Sequence, residues 1–257
     1  MRKKFYIEII FLILLGTLTS LSLPPFNYVI INFLTFSLFY IFLIKKSASH
    51  KNKKIFILYG WLFGFGYFVS NLYWISISLT FDENFKFLIP FSIFLVPAFL
   101  ALFYALVSYL FIILKPKKSL SSFFLFSLIF GIVEFIRGSI FTCFPWNLIA
   151  YSFSNQIEIL NITSMIGTYS FNLFCISLFT SPSIFILKEN KKDISIFIVF
   201  LITTTFFYYF GLQNLEKFNK KKVDNLDYKI RIVSSNISIE RFYNNIDPVL
   251  AIEQLIE

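Results

Sequence analysis

The sequence predicts an all-α polytopic membrane bundle of about seven transmembrane helices, followed by one strand and a partial helix. Three observations predict it. Apolar residues fill 57% of the 257 positions and charged residues only 14%, against roughly 25% charged in an ordinary soluble domain. Residues 1–212 form a succession of apolar segments, each long enough to cross a hydrocarbon core of about 30 Å, which takes roughly 20 helical residues. The basic residues cluster in alternate connections, the charge bias that orients membrane proteins.

The expected crossings are 5–23, 26–44, 55–80, 87–114, 119–141, 159–187 and 194–212. Segments 55–80 and 87–114 exceed the minimum and are expected to tilt or protrude. Residues 119–187 are flanked by Lys115, Lys117 and Lys118 on one side and by Lys188, Lys191 and Lys192 on the other. If both flanks face the same compartment, the number of crossings between them is even, and two fits the length.

With the N-terminus inside, the inside segments carry fourteen basic residues, among them Arg2, Lys3, Lys4, Lys45, Lys46, Lys51, Lys53 and Lys54, and the outside loops carry one, Lys86. This bias predicts a cytoplasmic N-terminus and an outward C-terminal tail. Lys217 and Lys220 to Lys222 pull mildly the other way. The first segment also admits a second reading, as a signal peptide with a small-x-small site at Ser20-Leu21-Ser22; cleavage there would leave the remaining topology unchanged.

Beyond 213 the chain turns polar. Residues 213–229 read as a linker, and Lys229-Ile-Arg-Ile-Val233 alternates with period two, as a half-buried strand does. Asp247-Pro248 supplies an N-cap and a first helical residue, and the chain reaches Glu257 with no helix stop signal. Residues 230–257 are therefore expected to be the incomplete start of a soluble domain, since one strand and part of a helix bury too little core.

Several chemistries are excluded. The net charge of +9 is scattered over loops and forms no basic stripe with stacking platforms, which argues against nucleic acid. His50 is the only histidine, so neither a His-based triad nor a multi-His metal centre can be built, and no cofactor motif is present. Cys143 and Cys175 lack metal-ligand spacing; as buried small hydrophobes they need no partner, and as nucleophiles they lack an adjacent base.

The candidate site residues are polar or interfacial. Glu134 and Arg137 lie i, i+3 in the fifth crossing and share a helix face. A lone intramembrane charge costs about 2.5 kcal/mol or more on insertion scales, so the pair reads either as a structural ion pair or as a polar surface for a substrate or lipid headgroup. Phe144-Pro145-Trp146-Asn147 follows at the outer boundary, where Pro ends a helix and Trp sits at headgroup level. Asn71 and Trp74, with Tyr73 between them, lie toward the outer end of the third crossing. Gly60, Gly64 and Gly66 in that crossing read as close-packing positions. Glu8 is expected near the inner surface.

The order of these motifs is informative. Leu23-Pro-Pro-Phe26, Gly60-Trp-Leu-Phe-Gly64, Asn71-Leu-Tyr-Trp74, Glu134-Phe-Ile-Arg-Gly138, Phe144-Pro-Trp146 and Tyr151 together resemble the membrane part of the apolipoprotein N-acyltransferase family, with Gly167 and Asn172 continuing the match. The strand at Ile230 resembles the first strand of that family's nitrilase-like domain, an α/β carbon–nitrogen hydrolase fold. Val233-Ser-Ser-Asn-Ile237 departs from the family's usual Val-Gln start, and Tyr243 sits near its usual Trp.

The resemblance implies ping-pong acyl transfer by a Cys–Glu–Lys triad, from a phospholipid acyl donor to the amino group of a diacylglyceryl-cysteine on a lipoprotein acceptor. It also implies a bacterial inner-membrane location with a periplasmic tail. The triad would lie beyond Glu257, so the chain is expected to be truncated and inactive alone unless a separately encoded catalytic domain supplies it. The alternative expectation is a small polytopic transporter or channel with a Glu134/Arg137 polar site.

Overall fold

The computed structural model describes residues 2–140, 145–188 and 193–221. Ten α-helices occur among them: α1 (Arg2–Ser20), α2 (Ile30–Ser49), α3 (Ile55–Leu72), α4 (Ile89–Leu114), α5 (Ser119–Ser139), the short α6 (Ile157–Leu160) and α7 (Thr163–Ile166), α8 (Thr168–Thr180), α9 (Ile184–Leu187) and α10 (Ile194–Lys220). No strand occurs among the described residues. The expected strand and helix of 230–257 lie outside them.

Among the described residues, six segments are long and apolar enough to cross a membrane: Ile30–Ser49, Ile55–Thr80, Glu83–Leu114, Ser119–Ser139, Thr168–Leu187 and Ile194–Lys220. The expected seventh, α1, has 19 residues but carries Lys3, Lys4 and Glu8 within them, which keeps it out of that count. Segments 55–80 and 87–114 are helical, but each passes into tighter 3-10 turns toward the loop between them, at Tyr73–Thr80 and Glu83–Leu88.

The sixth expected crossing needs correction. Residues 159–187 are not one helix: the span starts at Thr168, after two short apolar turns. Gly167 explains the break. Its backbone sits at φ 80° and ψ 159°, outside helical space and in a region that favours glycine, so α8 begins afresh after it.

Phenylalanine fills the centre. Phe36 and Phe39 of α2, Phe63 of α3, and Phe126 and Phe130 of α5 are fully buried. Phe39 stacks on Phe63 with ring centroids 4.0 Å apart, and Phe36 tilts against Phe130 at 5.6 Å. Such ring pairs each contribute roughly 0.5–1.5 kcal/mol beyond their buried area.

Helix α3 is the hub, and its glycines make it so. A Cβ at Gly66 would strike the Ile13 carbonyl of α1, and one at Gly64 would come within 2.8 Å of the Tyr104 Cβ of α4. Small residues on two faces therefore let two neighbours approach α3 closely, as helix packing in lipid requires. By contrast α10 is peripheral: Phe207 and Gly211 are its only buried residues, and it meets α6 where Asn214 donates to Asn161 at 2.7 Å.

Candidate functional site

Helix α5 presents Glu134 and Arg137 one turn apart on its buried face, with 0% and 2% of each residue exposed. The guanidinium grips the carboxylate through two parallel bonds: Nε donates to Oε1 at 3.0 Å and Nη2 to Oε2 at 2.7 Å. This fork geometry matches both charges and most of their hydrogen-bonding capacity, which is what lets an ion pair survive burial. The third arm reaches out of the helix, as Nη1 donates to the backbone carbonyl of Trp146 at 2.9 Å. The Phe68 ring of α3 lies 5.4 Å from the guanidinium carbon, a cation–π distance.

That third arm is the structural link to the surface. Trp146 belongs to the connection after α5, and its indole stacks on Trp74 at 5.1 Å with planes 20° apart. The neighbouring residue, Asn147, takes φ 59°, a left-handed position that Asn tolerates better than most residues. Its carbonyl accepts from the Tyr67 hydroxyl of α3 at 2.7 Å. Farther along, the Ala150 N–H donates to Asn172 Oδ1 of α8 at 2.9 Å, and Ser154 donates to Asn27 Oδ1 at 3.1 Å. Residues 145–154 are thus tied to α3, α5, α8 and the α1–α2 turn.

Between these ties lies a cleft of about 550 Å³, within the roughly 300–1,000 Å³ of small-molecule sites. Asn71, Trp74, Pro145 and Trp146 line it, joined by Pro24 and Tyr151. Of the candidate site residues these four meet in the cleft, beside Tyr73, Asn147 and Tyr151 of the same sequence motifs, and Glu134 and Arg137 stand behind its wall. Tyr243, Cys143 and Phe144 lie outside the described residues. Asn71 is held by its amide, which donates to the Tyr67 carbonyl at 3.1 Å. Tyr151 lies between the spans, and burial pushes its phenol above the ordinary value.

Sequence reasoning missed Tyr67. A tyrosine inside an apolar helix looks like any other aromatic filler, and only the fold shows its hydroxyl aimed at the 145–154 segment. At the lysine-rich end, Glu8 pairs with Lys46 and accepts from the Tyr59 hydroxyl at 2.8 Å, joining α1, α2 and α3. The exposed His50 lies 3.4 Å from the same hydroxyl. Cys175 is fully buried. Among the described residues no group of three or more His, Cys, Asp or Glu is placed to hold a metal.

Fold and site together define a multi-pass membrane protein in which a buried ion pair braces an aromatic cleft at one end of the bundle. Residues 15–179 match the family model of the apolipoprotein N-acyltransferase N-terminal domain, and the chain belongs to that family. An apolipoprotein N-acyltransferase of Rhodopseudomonas palustris is 37% identical over 177 residues, covering 68% of this chain and 33% of the relative. One from Rickettsia prowazekii is 31% identical over 242 residues, covering 91% and 47%, and one from Brucella melitensis is 31% identical over 176 residues, covering 66% and 33%. The chain thus spans a third to just under half the length of these relatives. The matched region contains every described residue of the cleft and its supporting pair.

Proposed function

We propose that this chain forms the membrane part of an apolipoprotein N-acyltransferase, which moves an acyl group from a phospholipid to the N-terminal diacylglyceryl-cysteine of lipoproteins. In this reading α1 is a seventh crossing, the lysine-rich end faces the cytoplasm, and the cleft opens at the periplasmic side of a bacterial inner membrane. The reacting Cys, Glu and Lys belong to a nitrilase-like unit on that side, whether it continues the chain from 230 or is separately encoded.

The observation that carries the reading is the Glu134–Arg137–Trp146 brace. It lies inside the family-matched region and fixes an aromatic cleft at the end of the bundle where lipid necks and acyl chains meet water. A transport site at Glu134 and Arg137 is less well supported, because both side chains are buried and the fork pairs the two charges with each other.

Growth of a strain depleted of its own acyltransferase tests the proposal. Residues 1–257 expressed together with, or fused to, a relative's nitrilase-like unit are expected to restore growth, whereas either piece alone is not. Failure of every combination, with both pieces present in the membrane fraction, would sink the reading.

A further inference from the structure

The described lining of the cleft carries no charge. Among the described residues its lining is Pro, Ser, Asn, Tyr, Trp, Leu and Phe, with no Lys, Arg, His, Asp or Glu. Phosphate recognition relies on Arg or Lys forks or on clustered backbone N–H groups. The Arg137 guanidinium is buried behind the wall and engaged with Glu134 and Trp146.

The groups that are present suit a different ligand. Tyr73 and Trp74 line the cleft while 60% and 40% exposed, so a hydroxyl and an indole N–H are available as neutral donors at its mouth. Asn147 lines it too, and its buried Oδ1 has no hydrogen-bond partner among the described residues. The aromatic walls and Pro24–Pro25 offer apolar contact. Close to the mouth, Phe26, Tyr28 and Ile30 are 55%, 60% and 82% exposed, an apolar flank along which chains could run outward. Trp and Tyr concentrate at the membrane–water interface.

We propose that this cleft receives the uncharged glyceryl-ester neck of a membrane glycerolipid, with ester carbonyls facing the Tyr73 and Trp74 donors and the acyl chains leaving along Phe26 and Ile30. It reads neither phosphate nor headgroup charge. The inference rests on the acyltransferase reading, in which donor and acceptor both carry a diacylglyceryl group, and it names the part of those molecules that the membrane domain holds.

Tryptophan quenching tests it. Three tryptophans occur in the chain, and Trp61 packs elsewhere, stacked on Phe65 at 4.8 Å. The full chain bearing Trp61→Phe, in maltoside micelles, therefore reports from the Trp74–Trp146 pair. The probes are a diacylglycerol, a phosphatidylcholine and a diacylglyceryl-cysteinyl peptide, each brominated near the glyceryl end of its chains.

Saturable quenching is expected with both the diacylglycerol and the phospholipid, at half-saturations within about threefold of each other, a difference of under 1 kcal/mol. If the peptide displaces them, the cleft serves donor and acceptor alike; if it does not, the cleft belongs to the donor. Ser70→Phe, which fills the cleft from α3, is expected to weaken saturable quenching at least tenfold with an unchanged circular dichroism spectrum. Ser154→Leu, from the opposite wall, serves the same purpose should Ser70→Phe fail to fold.

Quenching that rises linearly without saturation, that needs the phosphate, or that survives in a folded cleft-filling variant overturns the inference. Because no turnover is read, saturable binding without growth rescue would remove the acyltransferase proposal and leave the cleft standing. Rescue without saturable binding would do the reverse.

Discussion

Replacing Arg137 by Met should be among the most damaging single changes in the molecule. It removes two bonds to Glu134, at 3.0 and 2.7 Å, and one to the Trp146 carbonyl, at 2.9 Å. The Glu134 carboxylate then remains at 0% exposure with its partner gone. Breaking a buried pair in this way costs about 3–5 kcal/mol. The double variant Glu134→Leu with Arg137→Met removes both charges and substitutes apolar volume, which is often close to neutral. What the double variant still loses is the Arg137 bond to the Trp146 carbonyl, worth about 1.5–3 kcal/mol for a charged donor. Because both variants lose that bond, its cost cancels, and the double variant is expected to be more stable than Arg137→Met alone by about 3–5 kcal/mol, a non-additive result of the kind that double-mutant cycles resolve. Unfolding in mixed micelles titrated with dodecyl sulfate, followed by tryptophan emission, measures it. A double variant as unstable as Arg137→Met, or worse, would show that the pair is not what braces the site.

Other expectations follow from individual contacts. Gly66→Val places side-chain atoms against the Ile13 carbonyl, and overpacking of this kind costs about 1–3 kcal/mol; the same unfolding titration should show it, and an unchanged midpoint would contradict the close α1–α3 approach. Trp74→Ala removes the ring stacked on Trp146 at 5.1 Å and should cost about 0.5–1.5 kcal/mol while red-shifting the remaining cleft emission, since Trp146 is then more exposed to water. Glu8→Gln leaves Lys46 without its counter-charge, but the pair is partly exposed, so a loss of only about 1 kcal/mol is expected, reduced further in high salt. A loss as large as that of Arg137→Met would mean that the lysine-rich end is as dry as the core.

Local pattern made much of this protein legible in advance. Long apolar runs locate the spans because lipid leaves no alternative to a continuous helix, and the i, i+3 spacing of Glu134 and Arg137 by itself places both on one face. The glycines of α3 likewise mark close packing. What pattern could not show is convergence. Nothing in the spacing says that Pro24, Trp74 and Trp146 share a cleft, because their meeting depends on how three helix ends splay. The Arg137 bond to the Trp146 carbonyl was hidden because a backbone acceptor carries no sequence signature. The Gly167 break was misread for a related reason: an isolated glycine inside an apolar stretch is compatible with a helix, and only its positive φ ends it.

The chemical state of a lipoprotein N-terminus tests the central claim most directly. In a depleted strain carrying this chain joined to a relative's nitrilase-like unit, mass spectrometry of the N-terminal peptide should show the diacylglyceryl-cysteine gaining one acyl chain on its amino group. The same joined protein with Arg137→Met should show a large loss of that gain. A peptide that stays diacylated with the wild-type chain present and folded in the membrane would contradict the account.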